Sequence, residues 1–146
     1  MTISTSYFLL FFILGLLLPI PWIIWLHRFD DRRVTLGIGV GLLVAALIYI
    51  TFALYEGDGF WLMVECVGVL VYGLCVWLAL QNSMIWLAVG WGLHPVWDAA
   101  LHWLGPGAHI VPPWYAIACL SFDLTVAVYV VLRANQSKNR TLVESE

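Results

Sequence analysis

The sequence predicts an all-α integral membrane protein, a bundle of five transmembrane helices. Of its 146 residues, 63% are hydrophobic and only 10% carry charge, whereas soluble domains are about 45–50% apolar and about 25% charged. The apolar residues also fall into runs of about 20, the length that a helix needs to cross a bilayer. We expect a five-span domain over residues 1–134 and a polar tail over residues 135–146, with spans at about 7–26, 34–55, 60–80, 83–104 and 114–132.

The first two spans are separated by the most strongly charged connection of the chain, residues 27–33. Pro19 and Pro21 lie near the end of the first span, where proline bends or ends a helix. Gly37 and Gly41 open the second span with the small-xxx-small spacing that lets transmembrane helices approach closely.

Short turns separate the remaining spans. The acidic turn at residues 56–59 precedes the third span, and residues 81–82 form a very short turn before the fourth. Pro95 and neighbouring glycines predict a kink within the fourth span. A loop rich in glycine and proline, residues 105–113, precedes the fifth span, because its composition disfavours regular helix.

The basic residues predict the orientation of the bundle. Three lie in the first connection and three lie after the fifth span, two of them in the tail, and five spans bring these two segments to the same side of the membrane. The positive-inside rule places that side in the cytoplasm and the N-terminus outside. We expect a multi-pass protein of the plasma membrane, or of the inner membrane if the source is a prokaryote. The six basic residues are Arg28, Arg32, Arg33, Arg133, Lys138 and Arg140.

Ionisable residues from three spans fall in the outer half of the predicted membrane region. His94, Asp98 and His102 are four residues apart on the fourth span, and this spacing places them on one helix face. Glu65 on the third span and Asp123 on the fifth lie at similar depths, counted from the outer ends of their helices. A carboxylate at mid-membrane costs about 2.5–3.5 kcal/mol, so such residues indicate function.

The five residues predict a site in two layers. His94 and His102 are separated by roughly 12 Å along the helix, which is too far for both to bind one metal. We expect Glu65, Asp98 and His102, or His94 in place of His102, to bind a metal. His94 and Asp123 form the lower layer as the catalytic residues, and Asp98 lies at the junction of the two layers. In that arrangement Asp123 acts as a base or orients a ligand. Mixed histidine and carboxylate ligands suit Zn²⁺, Fe²⁺ or Mn²⁺, so the expected cofactor is a divalent metal.

Three classes of function stay open, and the sequence leaves undecided whether the chain is an enzyme. The first is a metal-dependent protein acting on a lipid or another apolar substrate, with Trp91 and Trp97 deep enough to line its pocket. The second is a component that transports protons or a cation along the polar column. The third is a structural or accessory membrane subunit in which Asp98 only joins helices and His102 extends to the interface. The expected partners are membrane lipid and an apolar small molecule, and no basic patch indicates nucleic acid.

One block resembles a family of small, uncharacterised integral membrane proteins. The family pattern G-W-x-L-H-x-x-W-D-x-x-x-H reads G-W-G-L-H-P-V-W-D over residues 90–98 and continues to His102. A proline-containing loop and C-x-x-x-D follow, the latter as Cys119 and Asp123. The resemblance covers about residues 84–130 and implies no known activity. Trp103 and Phe122 stand where the pattern often has a second histidine and a second cysteine, which disfavours a double-histidine or cysteine-rich metal site.

Overall fold

The computed structural model describes residues 4–144, and the side chains of residues 4–139. Within that range the fold is all-α without strands, which confirms the predicted class. Residues 1–3 of the predicted domain and residues 145–146 of the predicted tail lie outside the described residues. The elements are α1 (Thr5–Leu17), α2 (Pro19–Leu26), α3 (Asp31–Glu56), α4 (Gly59–Gln81), α5 (Ile85–Trp97), a π-helical segment (Asp98–Trp103) and α6 (Pro113–Glu144).

These elements form five helical rods. α1 and α2 join through Leu18, which keeps helical dihedral angles (φ −56°, ψ −42°), and α5 continues directly into the π-helical segment. Four rods in the described residues are long and apolar enough to cross a membrane: Thr5–Leu26, Asp31–Glu56, Gly59–Gln81 and Pro113–Asn139. The fourth rod in chain order, residues 85–103, is shorter and carries the polar residues of the predicted column.

Two helices begin and one ends where the sequence predicts turns. Asp30 and Asp58 precede α3 and α4, and each carboxylate accepts hydrogen bonds of 3.0–3.1 Å from backbone N–H groups of the first turn. Such caps satisfy donors that the helix leaves free. α3 ends at Gly57, whose φ of 70° is a left-handed conformation that glycine adopts without strain.

Neighbouring rods follow the order α3, α4, α5, α6 and α1 across the bundle. The contact of α1 with α6 is close: the Ser121 hydroxyl donates to the Phe12 carbonyl oxygen at 2.7 Å. A Cβ at Gly15 would overlap the carbonyl oxygen of Ala118, so only glycine fits there. The fourth rod therefore lies in the middle of the bundle, between α4 and α6.

The glycine pair on α3 faces side chains of α2 rather than the backbone of another helix. A Cβ at Gly37 would lie 2.7 Å from Leu26 Cδ2, and one at Gly41 would lie 2.5 Å from Trp22 Cη2. The small-xxx-small spacing thus makes room for two large side chains. This differs from the close helix approach that the spacing predicts.

Two apolar clusters fill the interior. The cluster near the first connection surrounds Leu42, Leu87 and Trp91 and includes Tyr72, and the opposite cluster surrounds Tyr49 and Trp61. Tyr49 and Tyr72 both contact the ring of His94. The polar residues of the fourth rod therefore lie between the two clusters.

α6 continues without a break through the segment that the sequence predicts as a separate polar tail. Arg133, only 6% exposed, explains why this segment is ordered near the bundle. Its guanidinium contacts an Asp31 oxygen at 2.8 Å and donates to the backbone oxygens of Phe29 and His27 at 2.9 and 3.3 Å. Ser137 also donates to Asp31. The first connection and the end of α6 therefore meet at one end of the bundle.

Candidate functional site

The fourth rod changes helix type at the centre of the predicted column. Pro95 lacks the N–H that would bond to the carbonyl of Trp91, which weakens the helix there. From Asp98 the chain becomes π-helical, and the N–H of Leu104 bonds to the carbonyl oxygen of Ala99 at 2.9 Å. A π-helix spans five residues per hydrogen bond rather than four and is frequent at functional sites. Residues four apart therefore no longer stack as they do in an α-helix.

Where α5 meets the π-helical segment, three buried side chains converge. The Nδ1 atom of His94 lies 2.9 Å from Asp123 Oδ2 and 3.5 Å from Asp98 Oδ2. Each of the three residues is 1% exposed. One ligand atom from each lies within 4.8 Å of the others, so the group could bind a metal ion. We call these three residues the triad.

The triad carries polar atoms without hydrogen-bond partners among the described residues. Within the described part of the chain, neither carboxylate oxygen of Asp98 has a hydrogen-bond partner. Buried polar groups are nearly always hydrogen-bonded, and an unpaired buried charge is strongly destabilising. His94 presents one Nδ1 atom to two carboxylates, so while both carboxylates are ionised even a protonated imidazole leaves one negative charge uncompensated. The site therefore favours an added cation.

Near the C-terminal end of the π-helical segment, His102 pairs with a single carboxylate, that of Glu65. His102 Nε2 lies 2.8 Å from Glu65 Oε1, and Nδ1 lies 3.2 Å from the carbonyl oxygen of Gly107. A carbonyl only accepts, so Nδ1 carries a proton and donates it. One further proton between Nε2 and the carboxylate makes the pair neutral overall. Trp61 covers it, with its ring 5.2 Å from that of His102.

All five residues that the sequence predicts for the site lie in the interior, each at most 3% exposed. The predicted neighbours Glu65 and His102 meet, as do His94 and Asp123, whereas the position of Asp98 differs from the expected ligand set. The sequence predicts Asp98 together with Glu65 and His102 as metal ligands. The structure brings Asp98 together with His94 and Asp123 instead. The physical reason is the π-helical turn, which separates the direction of Asp98 from that of His102. The candidate ligand set changes accordingly, and Glu65 and His102 form a pair beside it.

Sequence reasoning missed Tyr49. Its ring lies 5.4 Å from that of His94 and 5.2 Å from that of His102, so it separates the triad from the Glu65 pair. Its buried hydroxyl has no hydrogen-bond partner among the described residues and lies close enough to Asp98 to interact electrostatically. A tyrosine in the outer half of the second span was the available signal, since its depth matches that of the column.

A cavity of about 360 Å³ borders the triad. Asp123 contributes to its wall, together with Tyr115 and Cys119 from the same helix. The rest of the wall is apolar or aromatic and includes Trp91, as predicted, whereas Trp97 lies outside it and packs near Tyr72. The triad therefore lies next to an apolar pocket.

The fold and site define a class: a helical protein of membrane type with a buried group of one histidine and two aspartates that could bind a metal. Residues 25–136 match DUF6010, a family of unknown function, and the chain belongs to that family. This confirms the resemblance to an uncharacterised family, while the exact residue pattern stays a prediction. Comparison with curated proteins and with solved structures found no match.

Proposed function

We propose that this protein binds one divalent metal ion through the triad of His94, Asp98 and Asp123, within a membrane. In this proposal the metal acts on an apolar substrate in the adjacent cavity. The observation that carries the proposal is Asp98, a carboxylate only 1% exposed whose two oxygens both lack hydrogen-bond partners in the described structure.

The spacing of the triad supports metal binding. Ligands about 2.1 Å from a metal, at a tetrahedral angle, lie roughly 3.4 Å from each other. The distances from His94 Nδ1 to the two carboxylate oxygens, 2.9 and 3.5 Å, bracket that value. The ligand types, one imidazole and two carboxylates, suit Zn²⁺, Fe²⁺ or Mn²⁺.

The charge of the triad supports a divalent ion in particular. Two carboxylates carry two negative charges, and a neutral histidine adds none, so one divalent cation makes the group neutral. The surroundings contain no Lys or Arg to do so: among the described side chains, the buried basic residue is Arg133, at the far end of α6. In a low-dielectric interior, compensation of charge decides whether such a group is stable.

A triad of protein ligands leaves a coordination position for a water molecule or a substrate oxygen. When bound there, a divalent metal polarises a substrate oxygen or activates water. Asp123 contributes both to the triad and to the cavity wall, so a substrate in the cavity would lie next to the metal. Tyr49, whose ring contacts that of His94 and whose hydroxyl has no hydrogen-bond partner among the described residues, is a further donor beside the triad.

The proposal places all five rods across the membrane, with residues 27–33 and the end of α6 in the cytoplasm. The contact of Arg133 with the first connection supports this arrangement, because it brings the basic segments to one end. The apolar cluster around Leu42, Leu87 and Trp91 lies between that end and the triad. This favours a site open from one direction over a conducting path for protons or cations.

Metal titration tests the proposal. Protein purified in mild detergent is freed of metal with a chelator and titrated separately with Zn²⁺, Fe²⁺ and Mn²⁺, with Fe²⁺ kept anaerobic. We expect one equivalent of at least one ion to bind and to raise the midpoint of thermal unfolding. His94→Ala should lose this response, and Glu65→Gln, a buried change outside the triad, should keep it. Equal responses in the wild type and His94→Ala would reject the proposal.

A further inference from the structure

We infer that the cavity beside the triad holds the single aliphatic chain of a membrane lipid, which enters sideways between α1 and α3. The inference deepens the proposed function, on which it rests for the reaction, by naming the substrate class and its route. The binding step itself depends on the cavity and not on the metal.

The floor of the cavity is made of aromatic rings. Trp22, Trp91 and Phe122 contact one another with ring centroids 5.8–6.4 Å apart. The indole N–H of Trp91 points away to the carbonyl oxygen of Ile38 at 3.3 Å, so the ring is left as an apolar surface. The rings of Trp91 and Phe122 therefore offer no hydrogen bond to a polar ligand and suit hydrocarbon.

The cavity opens between α1 and α3, two helices that have little contact with each other. In the described part of the chain α1 contacts α6 and α2, whereas it has no comparable contact with α3. The rim of this gap is exposed and apolar: Leu18 is 63% exposed, Val44 50% and Trp114 43%. In the proposed membrane arrangement these side chains face lipid tails. A lipid chain could therefore enter without crossing water.

The volume of the cavity fits one aliphatic chain rather than two. A methylene group occupies roughly the volume of a water molecule, about 30 Å³. The cavity of about 360 Å³ therefore holds on the order of 12 carbon atoms. That is about one acyl or related chain, so the two chains of a phospholipid do not fit inside the cavity together.

The polar groups of the wall are gathered in one place. Asp123, Cys119 and Tyr115 lie within about two turns of α6, and the thiol lies beside the hydroxyls of Tyr115 and Tyr49. A chain lying on the aromatic floor would bring a polar terminal group to this side of the cavity. The substrate class is therefore a single-chain lipid with a small oxygen-containing end group.

Photolabelling tests the inference. The full-length protein in phosphatidylcholine vesicles is exposed to a photoreactive dodecanoic acid, and in a parallel arm to a phosphatidylcholine with the same photoreactive group on one chain. We expect the fatty acid to label peptides that line the cavity, on α3 and α6, more than the outer face of α4. Ala45→Phe and Ala118→Phe, which fill the cavity from two helices, should each lower this labelling about tenfold, equivalent to about 1.4 kcal/mol of binding.

Leu70→Phe is the matched control, because Leu70 is 72% exposed on α4 and lies outside the cavity. It should leave the labelling unchanged. Uniform labelling of all exposed helix faces, or labelling of the cavity by the phospholipid but not by the fatty acid, would overturn the inference. Asp98→Asn should lose metal and keep the labelling, so failure of the metal proposal and failure of this one are distinguishable. Circular dichroism and gel filtration show whether each variant is folded. One folded variant of the two that fill the cavity, Ala45→Phe or Ala118→Phe, is enough for the test.

Discussion

Both histidines in the interior of the fourth rod face carboxylates, but His102 faces one and His94 faces two. His102 has a partner on each ring nitrogen, and its pair with Glu65 is neutral whichever group holds the shared proton. In the triad a single imidazole nitrogen, Nδ1 of His94, faces two carboxylates, and the Asp98 oxygens have no hydrogen-bond partner among the described residues. Glu65 and His102 thus form a complete pair, which we call the closed pair. The triad is an incomplete group, because its negative charge is not fully compensated.

The number of carboxylates per histidine, rather than burial, separates the two sites. All five side chains are at most 3% exposed. A complete pair stabilises the fold and has no need of a ligand, whereas an incomplete group costs free energy until a cation binds. The two sites should therefore respond to mutation in opposite ways.

The largest expected effect is on the closed pair. Glu65→Ala leaves His102 without its carboxylate and should lower the free energy of unfolding by about 3–5 kcal/mol, as for other broken buried pairs. Denaturant unfolding in detergent micelles, followed by tryptophan fluorescence, measures this change. Glu65→Gln keeps the shape and should lose less. A loss below about 1 kcal/mol for Glu65→Ala would mean that the pair does not stabilise the fold.

Metal removal should have the next largest effect, and only through the triad. At a free metal concentration of 100–1,000 times Kd, binding stabilises the native state by about 2.7–4.1 kcal/mol, and a chelator removes this stabilisation. The shift in unfolding midpoint on chelation measures it. Glu65→Gln should show the same shift as the wild type, and Asp98→Asn should show none. A chelator-insensitive wild type purified with no metal would contradict the account.

In the metal-free protein, mutations at the two sites should change the free energy of unfolding in opposite directions. Asp98→Asn removes the uncompensated charge and leaves His94 paired with Asp123, so metal-free Asp98→Asn should be more stable than the metal-free wild type, by roughly 1–3 kcal/mol. Unfolding of both proteins in excess chelator gives the comparison. Destabilisation of the metal-free protein by Asp98→Asn would show that Asp98 is a satisfied structural group like Glu65.

The smallest effect is expected at the residue between the two sites. Tyr49→Phe removes a buried hydroxyl that has no hydrogen-bond partner among the described residues, so it should change the free energy of unfolding by less than about 1 kcal/mol. Metal content, measured by elemental analysis, should stay at the wild-type value because the hydroxyl is outside the triad. Loss of metal in this variant would make Tyr49 a fourth ligand.

The sequence was sufficient for the all-α class and for the five polar residues that enter the interior. Long apolar runs and rare charges decide both, because hydrocarbon excludes unpaired polar groups. The helical structure of residues 135–144 was less predictable, because their polar composition does not indicate a helix. Arg133, just before this segment, joins α6 to Asp31. That contact joins residues about one hundred positions apart, which local composition does not reveal.

The group to which Asp98 belongs could not be predicted, for a local reason. An α-helical spacing places His94, Asp98 and His102 in one stripe, but the π-helical segment begins at Asp98. One extra residue in the turn changes which neighbours Asp98 and His102 face. Pro95 signals a disturbance but not its type, so only the three-dimensional structure pairs Asp98 with Asp123.

The central claim is that Asp98, and not Glu65, belongs to a metal site. Elemental analysis of wild type, Asp98→Asn and Glu65→Gln, expressed and purified side by side in mild detergent, tests it most directly. The account predicts about one metal ion per chain in the wild type and in Glu65→Gln, because the triad is intact, and none in Asp98→Asn. Equal metal content in the wild type and Asp98→Asn, or its loss in Glu65→Gln alone, would contradict it.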